Sequence, residues 1–81
     1  MSIAIEPIAS WTIDGRNVWR VTLDTYQGQP VFHIREWFPA GGGEYRPGPK
    51  GLTMGTRQID RLVNASTELK AEAERQGLPT A

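Results

Sequence analysis

Val31-Phe32-His33-Ile34-Arg35-Glu36-Trp37-Phe38 runs directly into Pro39 to Lys50, "PAGGGEYRPGPK". Phe32 and Ile34 alternate with His33 and Arg35, the period of a strand with one buried and one wet face. Strict alternation puts Trp37 outward with Arg35 and Phe38 inward with Ile34. A bulge near Glu36 reverses those last two positions. Either way, rings and cations gather where the sheet must turn.

The chain on both sides of this stretch supplies the rest of a sheet. Asn17 to Tyr26 alternates as well, with Trp19, Val21 and Leu23 on one face and Arg20, Thr22, Asp24 and Tyr26 on the other. Gln27-Gly28-Gln29-Pro30 is the turn that joins the two strands. Upstream, Ser10 to Asp14 is a short strand candidate closed by Asp14-Gly15. Residues 1–7 carry no period, end at Pro7, and read as a loose arm.

Downstream, Pro39 to Gly43 reads as a flexible loop and Glu44 to Met54 as an irregular fourth strand. Pro47 and Pro49 cannot donate ladder hydrogen bonds, so that strand must be at an edge, bulged or looped out. Leu52 and Met54 are expected to return to the core. Thr56 is a candidate N-cap for a helix whose apolar stripe is Ile59, Leu62, Val63, small Ser66 and Leu69. Gly77 and Pro79 end it. From Arg57 to Gln76 such a helix is about 30 Å long, more than a sheet of short strands can cover. Its second half, Glu68 to Arg75, is expected to overhang into solvent or against a partner. The expected class is α+β: a four-stranded antiparallel sheet (10–54) followed by one long C-terminal helix (56–76), in one domain spanning 1–81.

Eighty-one residues hide a modest share of their surface, so a single core leaves little stability margin. Cysteine is absent, which excludes disulfides and thiolate metal sites. A second subunit is the remaining staple, and a homodimer is expected. No secretion signal and no apolar run of membrane-spanning length are present in these residues, so a cytoplasmic, nucleoid-associated protein without a membrane partner is expected. Nine basic and nine acidic residues cancel, which argues against indiscriminate nucleic-acid binding. The distribution is less even. Gly15 to Gln58 holds six basic residues (Arg16, Arg20, Arg35, Arg46, Lys50 and Arg57) against Asp24, Glu36 and Glu44.

Candidate chemistry is sparse. His33, the only histidine, has no companions at ligand spacing and reads as an ordinary strand residue. No nucleophile or second titrating group accompanies the carboxylates, so neither an enzyme, a cofactor nor a metal is expected. "GEYRPGPK" misses the phosphate-loop pattern, since Pro49 precedes Lys50 and Gly51 follows it. What remains is Tyr26, Trp37 or Phe38 together with Arg35, Arg46 and Lys50. Proteins that hold single strands stack bases on rings and track phosphates with cations. The competing reading is that the rings cap the sheet edge while the cations pair with Glu36 and Glu44.

The stretches "DTYQGQPVFHIREWF" and "YRPGPKGLTM", followed by a helix, resemble the family of the transcriptional coactivator positive cofactor four and its small bacterial and phage relatives. The resemblance covers about half the chain, without a gap from Tyr26 to Leu52. It implies a curved sheet, a homodimer, and grooves for single-stranded DNA. By matching positions it also implies Tyr26 and Phe38 as stacking rings, Arg35, Arg46 and Lys50 as cations, and Trp37 at a further aromatic position. An exposed Phe38 requires the bulge near Glu36. Gln27 and Gln29 stand where eukaryotic members carry lysines, and Asp24 and Pro49 replace further basic positions, so a shallower salt dependence is expected. The serine-rich regulatory tail of the eukaryotic coactivator has no counterpart in the sequence. The expectation is therefore a non-enzymatic, homodimeric single-stranded DNA-binding protein, an accessory factor in transcription or DNA maintenance, with transcription or repair proteins as further partners. Its rivals are a protein-interaction module on the same fold, and RNA binding.

Overall fold

A computed structural model of the chain describes residues 7–81. Most of the expected N-terminal arm lies outside the described residues. Four strands form one antiparallel sheet in the order β1-β2-β3-β4: β1 (Ala9–Thr12), β2 (Val18–Tyr26), β3 (Gln29–Gly41) and β4 (Glu44–Gly55). A 3-10 turn, Thr56–Gln58, leads into the single helix α1 (Ile59–Arg75).

Local chemistry explains each connection. Asp14 Oδ1 accepts the backbone N–H of Arg16 (3.1 Å) and Asn17 (3.0 Å), an Asx turn that reverses the chain between β1 and β2. Those same donors hold the Asp14 carboxyl below the usual carboxylate range, Asn17 contributing most. Gln27 and Gly28 both take positive φ, the tight geometry that suits a two-residue hairpin loop. The turn is thus shorter than the four residues expected, and Gln29 and Pro30 already belong to β3. Pro30 is tolerated because β4 ends opposite Val31, so its missing N–H breaks no β3–β4 bond.

The β2–β3 register runs without interruption from Tyr26↔Gln29 to Val18↔Trp37. Residues directly opposite share a face, so the sheet has one apolar side: Trp11, Trp19, Val21, Leu23, Phe32, Ile34, Leu52 and Met54. The other side holds Arg20, Thr22, Asp24, His33, Arg35 and Thr53. The segment 39–41 expected as loop belongs to β3, with Pro39 and Gly41 paired and Ala40 bulged between them, and Gly42 and Gly43 form the turn to β4.

Among the described residues the apolar side is poorly covered. Only Phe32 (4% exposed) on that side and Val31 on the other are buried, while Leu23, Leu52 and Met54 stay open to solvent rather than returning to a closed core. The reason is the helix. The 3-10 turn touches β3, but α1 hardly contacts the sheet. Its stripe is consequently bare, with Leu69 71% exposed. The Cα radius of gyration is 14.7 Å. A compact chain of this length would have roughly 12 Å.

The start of α1 differs from expectation. Thr56 opens the 3-10 turn instead of capping the helix, and no side chain caps either N-terminus. The end matches its signals. Gly77 takes φ +76°, Leu78 N–H bonds to the Ala73 carbonyl (2.9 Å), and Gly77 N–H bonds to that of Glu74 (3.0 Å). This is the Schellman pattern, which satisfies carbonyls the helix leaves unpaired. No helix of the described residues is long and apolar enough to cross a membrane.

Candidate nucleic-acid interface

The site is organised by a defect in the β3–β4 ladder. Arg35 stands opposite Gly51, but Trp37 stands opposite Pro47. Glu36 alone therefore faces Gly48, Pro49 and Lys50. This loop-out accommodates Pro49, which falls where no ladder bond is required, while Pro47 stays opposite Trp37 on an edge strand. It also leaves Lys50 exposed.

Two contacts pin the defect. A Cβ at Gly51, where φ is +147°, would lie 2.5 Å from the Ile34 carbonyl oxygen and 2.7 Å from the Arg35 Cα. Only glycine permits that approach of the two backbones. Arg35 Nη1 donates to the Gly48 carbonyl (3.1 Å), and its Nη2 lies 3.5 Å from Thr53 Oγ1. Arg35 is thus tied to β4 and not to Glu36 or Glu44. Glu36 instead accepts from Asn17 Nδ2 at 2.9 Å.

The irregularity expected near Glu36 exists, but on the β4 side. Relative to β2 the alternation of β3 is unbroken, so Trp37 keeps the face of Arg35 and does not exchange places with Phe38. Trp37 is half-buried, and its ring is covered: the Arg20 guanidinium carbon sits 4.6 Å from its centroid and 5.4 Å from that of Tyr45. Phe38 is 40% exposed and stands opposite the exposed Arg46. Phe38 also lies beside Gly48, 3.5 Å from where a Cβ there would be.

The residues singled out from the sequence therefore fall into groups. Arg35 and Trp37 lie together, Phe38 pairs with Arg46, and Lys50 marks the loop-out between them. Tyr26 stands apart at the tip of the β2–β3 hairpin, 63% exposed. Six residues of strand, roughly 20 Å, separate it from Arg20. Tyr26 shares the Arg35 face, whereas Phe38 falls on the opposite one by the alternation of β3.

Arg20 and Tyr45 escaped the sequence reading. The signal for Arg20 was present, because a two-residue loop at Gln27-Gly28 places Tyr26 opposite Gln29 and, by counting back, Arg20 opposite Arg35. Beside this pair, His33 joins Thr53 and Asp24. Its Nδ1 is 2.7 Å from Thr53 Oγ1 and its Nε2 is 3.3 Å from Asp24 Oδ2. The Thr25 backbone N–H, and then His33, hold the Asp24 carboxyl below its ordinary value. Among the described residues, no three histidine, aspartate or glutamate side chains come together to hold a metal.

With this geometry in view, residues 13–65 match the sequence profile of the family described as Transcriptional Coactivator p15 (PC4). A putative RNA polymerase II transcriptional coactivator of Neurospora crassa is 29% identical over 70 residues, covering 79% of this chain and 40% of its own length. An RNA polymerase II transcriptional coactivator of Drosophila melanogaster is also 29% identical, over 65 residues, covering 80% of this chain and 56% of its own. The chain thus spans about half the length of these relatives. Among solved structures, a PC4 homolog from Burkholderia pseudomallei superposes with a TM-score of 0.74 at 14% identity, over 80% of this chain and 88% of its own. MoSub1, solved in complex with single-stranded DNA, superposes with a TM-score of 0.62 at 25% identity, over 89% of this chain and 83% of its own.

Proposed function

This chain belongs to the family of the transcriptional coactivator p15 (PC4), and on that premise we propose that it binds single-stranded DNA as a homodimer, serving as an accessory factor in transcription or DNA maintenance. The observation that carries the reading is the bulged β3–β4 seam. On one face it sets Arg35 beside Trp37 and Tyr45, with Arg20 over both rings, and on the other it pairs Phe38 with Arg46; among the described residues none of these cations, nor Lys50, forms an ion pair with a carboxylate. Rings beside unneutralised cations suit unstacked bases and their phosphates. The single-stranded DNA in the MoSub1 complex agrees with this chemistry. Among the described residues no helix presents a basic face for a major groove, which favours single strands over duplex.

The homodimer follows from what the protomer leaves bare. Among the described residues, two buried side chains make a small core, and the stripe of α1 is left uncovered. A second copy would cover both. Fluorescence anisotropy with labelled oligothymidine, its duplex and oligouridine, at two salt concentrations, tests the binding. Binding to the single strand in preference to the duplex is expected, weakening as salt rises but with a shallow slope. Equal affinity for the duplex would count against the reading, and preference for oligouridine would redirect it to RNA.

A further inference from the structure

Arg20 and Arg35 are directly opposite each other on neighbouring strands, both half-buried and on the same face. Like charges in that relation repel, and partial burial weakens the screening that would otherwise excuse them. A carboxylate between them would resolve the conflict, yet among the described residues neither arginine has one. Glu36 is engaged by Asn17, and Asp24 is engaged by His33 and the Thr25 N–H. Both cations are nevertheless held in place. Arg35 is fixed through the Gly48 carbonyl, and Arg20 lies over the rings of Trp37 and Tyr45.

We propose that Arg20 and Arg35 together form a binding site for one phosphodiester group of the nucleic-acid strand, with Arg20 oriented by Trp37 and Tyr45. This inference rests on the reading given above and adds a residue and a subsite to it. The planar guanidinium offers paired N–H donors along its edges, matching two phosphate oxygens, while its faces stack on rings. A guanidinium lying on an indole keeps those edges free, and its outer face is itself a platform for a base. The anion supplies the charge that the pair lacks. In its absence the two arginines repel; in its presence they are bridged.

The test uses the full chain and labelled oligothymidine, titrated across several salt concentrations, with Arg20→Gln, Arg20→Lys, Arg35→Gln and the double variant Arg20→Gln/Arg35→Gln. Circular dichroism and thermal melting accompany each. Arg20→Gln is expected to weaken binding roughly tenfold, as the loss of one charged hydrogen-bonding group would. The salt slope should fall by about 0.7, the value for one phosphate on a single strand, only in the double variant, because either arginine alone still neutralises the shared anion. Arg20→Lys should retain the slope but not the full affinity, because an ammonium lacks the fork and the stacking plane. Because the two residues share one anion, the double variant should lose less than the product of the single losses. Wild-type affinity in a folded Arg20→Gln overturns the inference while leaving the proposed function intact. Purely multiplicative losses overturn the shared anion. Absence of binding by the unaltered protein overturns the proposed function and this inference with it.

Discussion

Gly51 and Asp24 show how single positions carry disproportionate consequences. At Gly51 a methyl group would meet the backbone of β3, which cannot yield as a flexible side chain can. Gly51→Ala is therefore expected to lower unfolding free energy by roughly 1–3 kcal/mol, the range for enforced backbone strain, read from a denaturant midpoint. Asp24 behaves differently. Its carboxyl is depressed by the Thr25 N–H and by His33, so its contribution to stability is present above the usual carboxylate value of 3.8. That contribution is lost as pH falls through the lower folded-state value. Replacing Asp24 with Asn should lower the melting temperature at neutral pH and leave the most acid region less changed, so that the limb below about pH 4 flattens. An unaltered acid limb would show that the native contacts do not hold the carboxylate. For the rings, Tyr26→Ala and Phe38→Ala should each cost roughly 1–3 kcal/mol of oligonucleotide binding with little change in salt slope. Lys50→Ala should lower the slope, since its charge is exposed and has no stacking role.

At the level of elements, β4 and α1 are opposite cases. β4 has two prolines that forbid a regular ladder, and the loop-out at Gly48 to Lys50 converts that deficiency into an exposed cation beside a fixed arginine. α1 is regular but uncapped at its start, and it depends on the Schellman closure at its end. Near that end, Arg75 and Gln76 side chains both donate to Glu72, whose carboxyl is held low by Gln76 first and Arg75 second. Gly77→Ala forces a side chain into φ +76°, so it should cost about 1 kcal/mol and raise hydrogen exchange in the last turn of α1. Exchange confined to that turn is the expected pattern. Loss of protection throughout the sheet would mean that the helix end is coupled to β4 in a way its sparse contacts do not suggest.

At the scale of the whole molecule, the described residues leave much apolar surface open on the sheet face and on the stripe of α1, and exposed apolar area of this kind is characteristic of interaction surfaces. Val63 and Leu69 lie on the exposed stripe, so the double change Val63→Glu and Leu69→Glu should shift a dimer toward monomer in light scattering. The same variant should unfold with a lower and broader transition, since folding and association are then one process. A stable, sharply melting monomer would contradict the homodimer. Binding should fall in parallel, because a dissociated chain loses the second sheet.

Hydropathy alternation, Asp14-Gly15, Gln27-Gly28 and the Gly77 stop signal are local, and each is legible in a one-dimensional chain. They determined four strands in order, the facing of β2 and β3 toward one another, and a terminal helix. The family pattern from Asp24 to Met54 added the cations and rings. Three features needed the folded chain: the side of the seam on which the bulge falls, the engagement of Glu36 by Asn17, and the stacking of Arg20 over Trp37 and Tyr45. These depend on contacts between residues far apart in sequence, settled by how the extra residues of β4 are accommodated against β3. Periodicity is silent there because Pro47, Pro49 and the neighbouring glycines erase the alternation that would report register. The separation of helix from sheet was likewise beyond the sequence, because an amphipathic stripe encodes the need for a partner surface and not which surface will meet it.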